Sequence, residues 1–138
     1  MKLFRSWLTK FFGGRKPANF SGIIAARVTK VDKHPNANRL RVIELTDGTN
    51  MIAPVVCGAW NFDVGAIVPL ALPGAIIPHD QHDPAGQSFT LAKAKIRGVE
   101  SQGMICSGKE LGLTDDGSGI LILKPEAVLG REFNSNMI

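Results

Sequence analysis

A chain of 138 residues, 44% hydrophobic and 20% charged, is long enough for one domain with its own core and too apolar to be a disordered tail. Its net charge of +4 is unevenly spread: residues 1–41 hold ten Lys or Arg against Asp32 alone, and residues 42–138 hold six against eleven acids, so the basic end is the expected docking side for an anion. Cys57 and Cys106 are too few and too far apart for a zinc ribbon or a redox pair, and no apolar run is long enough to span a membrane.

The chain opens with Leu3, Phe4, Trp7, Leu8, Phe11 and Phe12 at helical spacing, which predicts an amphipathic helix with Lys2, Arg5 and Lys10 off its apolar face. Arg5 and Lys10 interrupt the stretch, which argues against a secretory signal and makes the cytoplasm the default location; separately, a helix docked on its own or a neighbouring domain is favoured over one lying on a membrane or a partner. Gly13, Gly14, Arg15, Lys16 and Pro17 read as a linker. The expected division is therefore residues 1–17 as helix and linker and residues 18–138 as the main domain, with the boundary near Ala18.

From Phe20 onward short segments read as strands. Ile24, Ala26 and Val28 alternate, and a shift to Val31 predicts a bulge. Leu40 and Val42 alternate next, then Ile43 and Leu45 on the opposite parity. Asp47-Gly48 predicts a tight turn before a strand over 51–57, where Pro54 argues against a central position. A strand over 67–72 follows, with Pro69 again suggesting an edge or a bulge, and 77–88 reads as a long loop. In the segment from Ala92 to Arg97, apolar Ala92, Ala94 and Ile96 alternate with Lys93, Lys95 and Arg97, which predicts a strand with one face packed inward and one cationic. Gly98 and Gly103 bracket a turn. Ser107 and Glu110 then form a capping-box pattern opening a short helix seated by Leu111 and Leu113 and ended by Gly112. A last short strand is expected over 120–123. Strands of this length with one short helix suit an all-β fold, a five-stranded barrel of the oligonucleotide-binding (OB) class.

Three collinear motifs are more specific than any of these patterns alone. His34-Pro35-Asn36-Ala37, then Cys57-Gly58-Ala59, then Arg97-Gly98-Val99-Glu100-Ser101-Gln102-Gly103-Met104-Ile105-Cys106-Ser107 with Glu110-Leu111-Gly112-Leu113 behind it, resemble the tRNA-binding domain family. Within it they look most like the domain near the N-terminus of the bacterial phenylalanyl-tRNA synthetase beta subunit. The resemblance runs from about Phe20 to Gly130 and implies the same OB fold and a noncatalytic role in holding tRNA.

The residue types agree with recognition rather than reaction. Lys33, His34, Asn36, Asn38 and Arg39 fall in the loop between the first two strands, a usual contact edge of this fold, and Lys93, Lys95 and Arg97 offer charge to phosphates. Asn36 and Asn38 could equally cap a local turn. The family commonly has Asp where Asn38 stands. By resemblance, Ser101, Met104 and Ser107 lie near the RNA surface, with Asn61 a weaker member; by their own chemistry Met104 reads as core filler and Ser107 as a helix cap. Trp60 stands where relatives usually have a small residue or proline; exposed, it could stack a base, but a hydrophobic plug is the favoured expectation.

No phosphate loop, dinucleotide fingerprint or class II synthetase signature is present, and no cofactor or metal is expected. The loop His79-Asp80-Gln81-His82-Asp83 holds metal-capable side chains, but a flexible loop supplies no rigid ligand geometry. Cys57 and Cys106 are expected reduced and semi-buried. The implied partners are tRNA and, if the chain is a fragment of a long subunit, the synthetase alpha subunit and the remaining beta-subunit domains; a free-standing relative would be expected to form a homodimer. No membrane partner is expected.

Overall fold

The computed structural model describes residues 20–138, so the amphipathic helix, the linker and the boundary expected near Ala18 lie outside the described residues. The nine strands among the described residues are β1 (Ile23–His34), β2 (Ala37–Thr46), β3 (Met51–Cys57), β4 (Ile67–Ala71), β5 (Ile76–Ile77), β6 (Phe89–Thr90), β7 (Ala94–Ile96), β8 (Val99–Ser101) and β9 (Met104–Ile105). All their pairings are antiparallel. One five-stranded sheet runs β3-β2-β1-β4-β9, and β5-β6 and β7-β8 form two separate pairs.

The long first strand organises the sheet by serving two neighbours in succession. Ile23 to Arg27 pair with β4, and Arg27 to His34 pair with β2. The expected break before Val31 is a β-bulge between Val28 and Lys30, which bends the strand where it changes partner. In β2 the outcome differs from the expected change of parity. Arg41, Ile43 and Leu45 are buried on one parity while Leu40 and Val42 are half-buried on the other, and the irregularity lies instead in the register with β3, between Ile43 and Leu45. The turn to β3 is closed as expected, by Asp47 accepting the Thr49 and Asn50 amides at 2.9 and 2.7 Å.

Pro54 lies in β3, an edge of the sheet, in keeping with its missing N–H. Pro69 does not lie at an edge, because β4 sits between β1 and β9. The ladder asks only for its carbonyl, which accepts the Cys106 amide at 3.0 Å. All five residues of β4 are buried, since the strand is covered on both faces. On one face Ile23, Ala25, Ile67 and Ala71 pack with Cys106, Leu111, Leu123 and Phe133. On the other Ala26, Val28, Val68 and Leu70 pack with Ile43, Leu45, Val55 and Phe62.

Two expected elements are absent from the described residues. The capping box is present and reciprocal, with the Ser107 amide on Glu110 Oε1 at 2.8 Å and the Glu110 amide on Ser107 Oγ at 3.1 Å, yet it closes a single turn and no α-helix follows. Gly112, at φ +75°, ends that turn after one revolution. Residues 120–123 form no strand. Their amides are divided between partners, Leu121 bonding the Cys106 carbonyl and Leu123 the Ile67 carbonyl, so no single neighbour supports a ladder.

Candidate nucleic-acid interface

Two connections meet at one end of the molecule. Arg97 and Gly98 occupy the β7-β8 turn at φ +53° and +92°, the pair of positive angles that a two-residue type I′ hairpin requires. His34, 5% exposed, fastens this hairpin to the β1-β2 loop. Its Nδ1 accepts the Asn36 amide at 3.0 Å, so the proton resides on Nε2, which donates to the Ile96 carbonyl at 2.9 Å. Asn36 adds a second tie, its Nδ2 donating to the Arg97 carbonyl at 3.0 Å. The motif around His34-Pro35-Asn36 and the motif opening at Arg97 are thus one structural joint.

The joint displays cations. Lys33, Arg39, Lys93, Lys95 and Arg97 are all exposed, and the ion pair found among the described residues, Lys30 with Asp32 at 3.5 Å, involves none of them. The basic segment is not a half-buried strand. Ala92 and Ala94 are exposed and Ile96 is half-buried, because β7 pairs only with β8 and stands out as a short arm instead of packing on the sheet. Glu100 lies opposite Lys95 in that arm and moderates its charge. The connection between β1 and β2 is only Pro35-Asn36, shorter than the expected loop: Lys33 and His34 end β1, and Asn38 and Arg39 lie at the start of β2. Asn38 is exposed beside Arg39, so of the two asparagines one is committed to the joint and one faces solvent.

Next to Arg39 a group appears that periodicity alone did not single out. Arg41 is buried, and its guanidinium lies 4.7 Å from the Trp60 ring centroid and 4.6 Å from that of Phe62. Its Nη2 donates to the Ala59 and Phe62 carbonyls at 3.2 and 2.9 Å. Trp60 is no plug. It is 55% exposed, with its indole N–H on the Arg39 carbonyl at 3.0 Å. A signal was available in the sequence, since Arg41 shares the parity of Ile43 and Leu45 and so points with the core residues.

The remaining residues read from the motif hold the frame. Ser101 is buried; its Oγ accepts the Val56 amide at 2.9 Å and donates to the Gly103 carbonyl at 2.8 Å, joining β3 to the start of β9. Ser107 is buried in its cap, with Oγ also 3.3 Å from Gln81 Oε1. Met104 is half-buried against the core. Asn61 uses its whole amide on Ile120, donating to its carbonyl at 2.9 Å and accepting its N–H at 3.0 Å. Cys57 and Cys106 are buried and reduced, and desolvation raises both thiols above their ordinary range. In the 79–83 loop the carboxylates serve local turns, Asp80 accepting the His82 amide and Asp83 the Ala85 amide.

With this geometry in place, comparison with known proteins decides the family. The sequence profile of the family described as "Putative tRNA binding domain" matches residues 23–132. The chain belongs to this family. Among curated relatives of this tRNA-binding domain, the phenylalanine–tRNA ligase beta subunit of Chromobacterium violaceum is 46% identical over 112 residues, 81% of this chain and 13% of that subunit. The same subunit of Anaeromyxobacter dehalogenans is 46% identical over 116 residues, 84% of this chain and 14% of that one. The domain therefore spans about one seventh of the length of the relatives it matches. Among solved structures, a MetRS related protein from Pyrococcus horikoshii superposes with a TM-score of 0.55 at 17% identity, covering 80% of this chain and 87% of that one, which is a likeness of fold. No helix among the described residues is long and apolar enough to cross a membrane.

Proposed function

We propose that this tRNA-binding domain is a noncatalytic OB-type barrel that holds tRNA through charge and shape. The observation that carries the reading is the joint between the two connections, where Lys33, Arg39, Lys93, Lys95 and Arg97 stand exposed on a backbone fixed by His34 and Asn36. Closure of the barrel is supported by contacts that span the gap between β3 and β8-β9: Ser101 Oγ on the Val56 amide and the Gln102 amide on the Pro54 carbonyl at 2.8 Å. Lys33, Arg39, Asn38, Lys93, Lys95 and Arg97 face the RNA directly. His34, Asn36, Asn61, Ser101 and Ser107 act by holding the surface, and Met104 by filling beneath it.

Likeness to ligase beta subunits supports a wider setting, in which the domain assists phenylalanyl-tRNA aminoacylation in the cytoplasm beside an alpha subunit. Binding of tRNA requires no cofactor in this reading. Anisotropy of labelled tRNA, titrated with the chain at several salt concentrations, tests it. Binding should weaken steeply with salt and prefer tRNA over single-stranded RNA and duplex DNA. Converting Lys93, Lys95 and Arg97 to Glu should lower the slope of log K against log salt by about 2 to 3, the release expected from three phosphate contacts, while the melting temperature stays. Absence of binding at low salt would replace the proposal with a structural module that braces a larger subunit.

A further inference from the structure

We infer that Trp60 is a rigid stacking platform for an unpaired base of the bound RNA, a contact that rests on the tRNA-binding reading and adds a base-facing element to a surface otherwise made of charge. A hydrophobic plug would bury its ring, yet Trp60 is 55% exposed. An indole ordinarily needs a partner for its N–H, and here that need is met from within, by the Arg39 carbonyl at 3.0 Å. The exposed part of the ring is therefore left to apolar and stacking contact.

The ring is also held still. The Arg41 guanidinium lies 4.7 Å from its centroid, is itself backed by Phe62 at 4.6 Å, and is bonded to the carbonyls of Ala59 and Phe62. Arg41 Nε is buried with no hydrogen-bond partner, so this cation has been drawn out of water to lie between the two rings. Such an arrangement fixes the platform before any ligand arrives and spares the entropy of ordering it on binding.

Charge selects the occupant. Arg39 is exposed, its carbonyl being the anchor of the indole, and Arg41 pairs across the ladder with Lys33 on the side leading to the His34 joint. An apolar protein segment laid on Trp60 would desolvate the exposed Arg39 and Lys33 without compensating them. A nucleotide brings a π face for the ring and a phosphate for the cations in one unit, and stacking of this kind tolerates any base.

The test uses the full chain with Trp7→Phe, which leaves Trp60 as its single tryptophan. Its emission should be quenched by tRNA and by single-stranded RNA, and not by a blunt duplex that offers no unpaired base. In parallel, Trp60→Leu keeps an apolar cover over Arg41 without the aromatic face, and Trp60→Phe restores a smaller face. Anisotropy with labelled tRNA should show binding weakened on the order of tenfold for Leu and largely recovered for Phe.

Unchanged tRNA affinity in Trp60→Leu with no quenching would overturn the platform and leave tRNA binding intact. Equal quenching by the duplex would overturn it as well. A concentration-dependent shift of Trp60 emission without RNA would reassign the ring to a protein contact. Failure of the unsubstituted chain to bind tRNA at all would remove the functional reading and this inference together, so the two failures are distinguishable.

Discussion

Between Ile23 and Ala71 four strands of 12, 10, 7 and 5 residues bond one another in long ladders, whereas from Leu72 onward the five strands, all between Ile76 and Ile105, are two or three residues long. In the second region scattered backbone bonds replace long ladders, and side chains gripping backbone join its pieces: Ser101 on Val56 and Gly103, Glu110 on Ser107, Asn61 on Ile120, His34 on Ile96. A ladder distributes its stability over many equivalent bonds. A side-chain clasp concentrates it in one residue, and the His34 clasp also fixes where the exposed cations of the β7-β8 hairpin stand.

The sharpest way to break this contrast is to remove one hydroxyl from each region. Ser101→Ala leaves the buried Val56 amide and the Gly103 carbonyl without partners and should cost about 3 kcal/mol, read from urea unfolding. Gly103 leaves no slack for repair, since a Cβ there would lie 2.6 Å from the Ala71 carbonyl oxygen. Thr29 Oγ1 donates to the Glu44 carbonyl at 3.0 Å at the bulge between Val28 and Lys30, and Thr29→Val should cost about 1 kcal/mol or less, because the β1-β2 ladder continues on both sides of the bulge. Equal losses from the two substitutions would show that the regions do not differ in the way described.

His34→Ala should have the next largest effect, about 1–2 kcal/mol, from loss of its bonds to Ile96 and Asn36. Its signature is local. Amides of residues 94–101 should exchange faster while those of β1 and β4 keep their protection, and tRNA affinity should fall although no cation has been altered. Uniform loss of protection across both regions would instead place His34 in the common core.

The same division governs what could be read from sequence. Period-two alternation and turn chemistry found β1 to β4, the bulge before Val31 and the Asp47 turn, because ladders are written in local pattern. Pro69 suggests an edge or a bulge and lies at neither, because pattern cannot say that a two-residue strand asks only for its carbonyl. The alternation from Ala92 is real and predicts a half-buried strand, but its partner, β8, covers neither face. The capping box was found to the atom, yet one turn satisfied it. Of the surface, Lys93, Lys95, Arg97, Lys33 and Arg39 were legible as exposed charge. That His34 and Asn36 tie to Ile96 and Arg97, some sixty positions away, is a fact of tertiary structure that no local period encodes.

The smallest expected effect compares two carboxylates that perform one task in the two regions. Asp47 sits in the β2-β3 turn, and bonds from the Asn50 and Thr49 amides hold its carboxyl below the ordinary range. Asp116 lies in the loop before residues 120–123 and is lowered by the Ser118 hydroxyl and then the Ser118 amide, at 2.6 and 2.9 Å. In each case the folded state binds its proton less readily than the unfolded chain, so the stabilisation is fully present above the unfolded value near about 3.9 and is lost as pH falls through the lower folded value. Amide shifts of Thr49, Asn50 and Ser118 followed by NMR should therefore titrate with midpoints below about 3.9. The regions should separate in what happens next. Protonating Asp47 leaves a turn still fixed by the ladder on both sides, so only its own amides should respond. Protonating Asp116 loosens a loop with no ladder beneath it, so the Lys109 amide, which bonds the Asp116 carbonyl at 3.3 Å, should move with Ser118 at the same midpoint. A Lys109 amide that ignores this titration would mean that the loop has support beyond its side-chain clasps, and would narrow the contrast between the two regions.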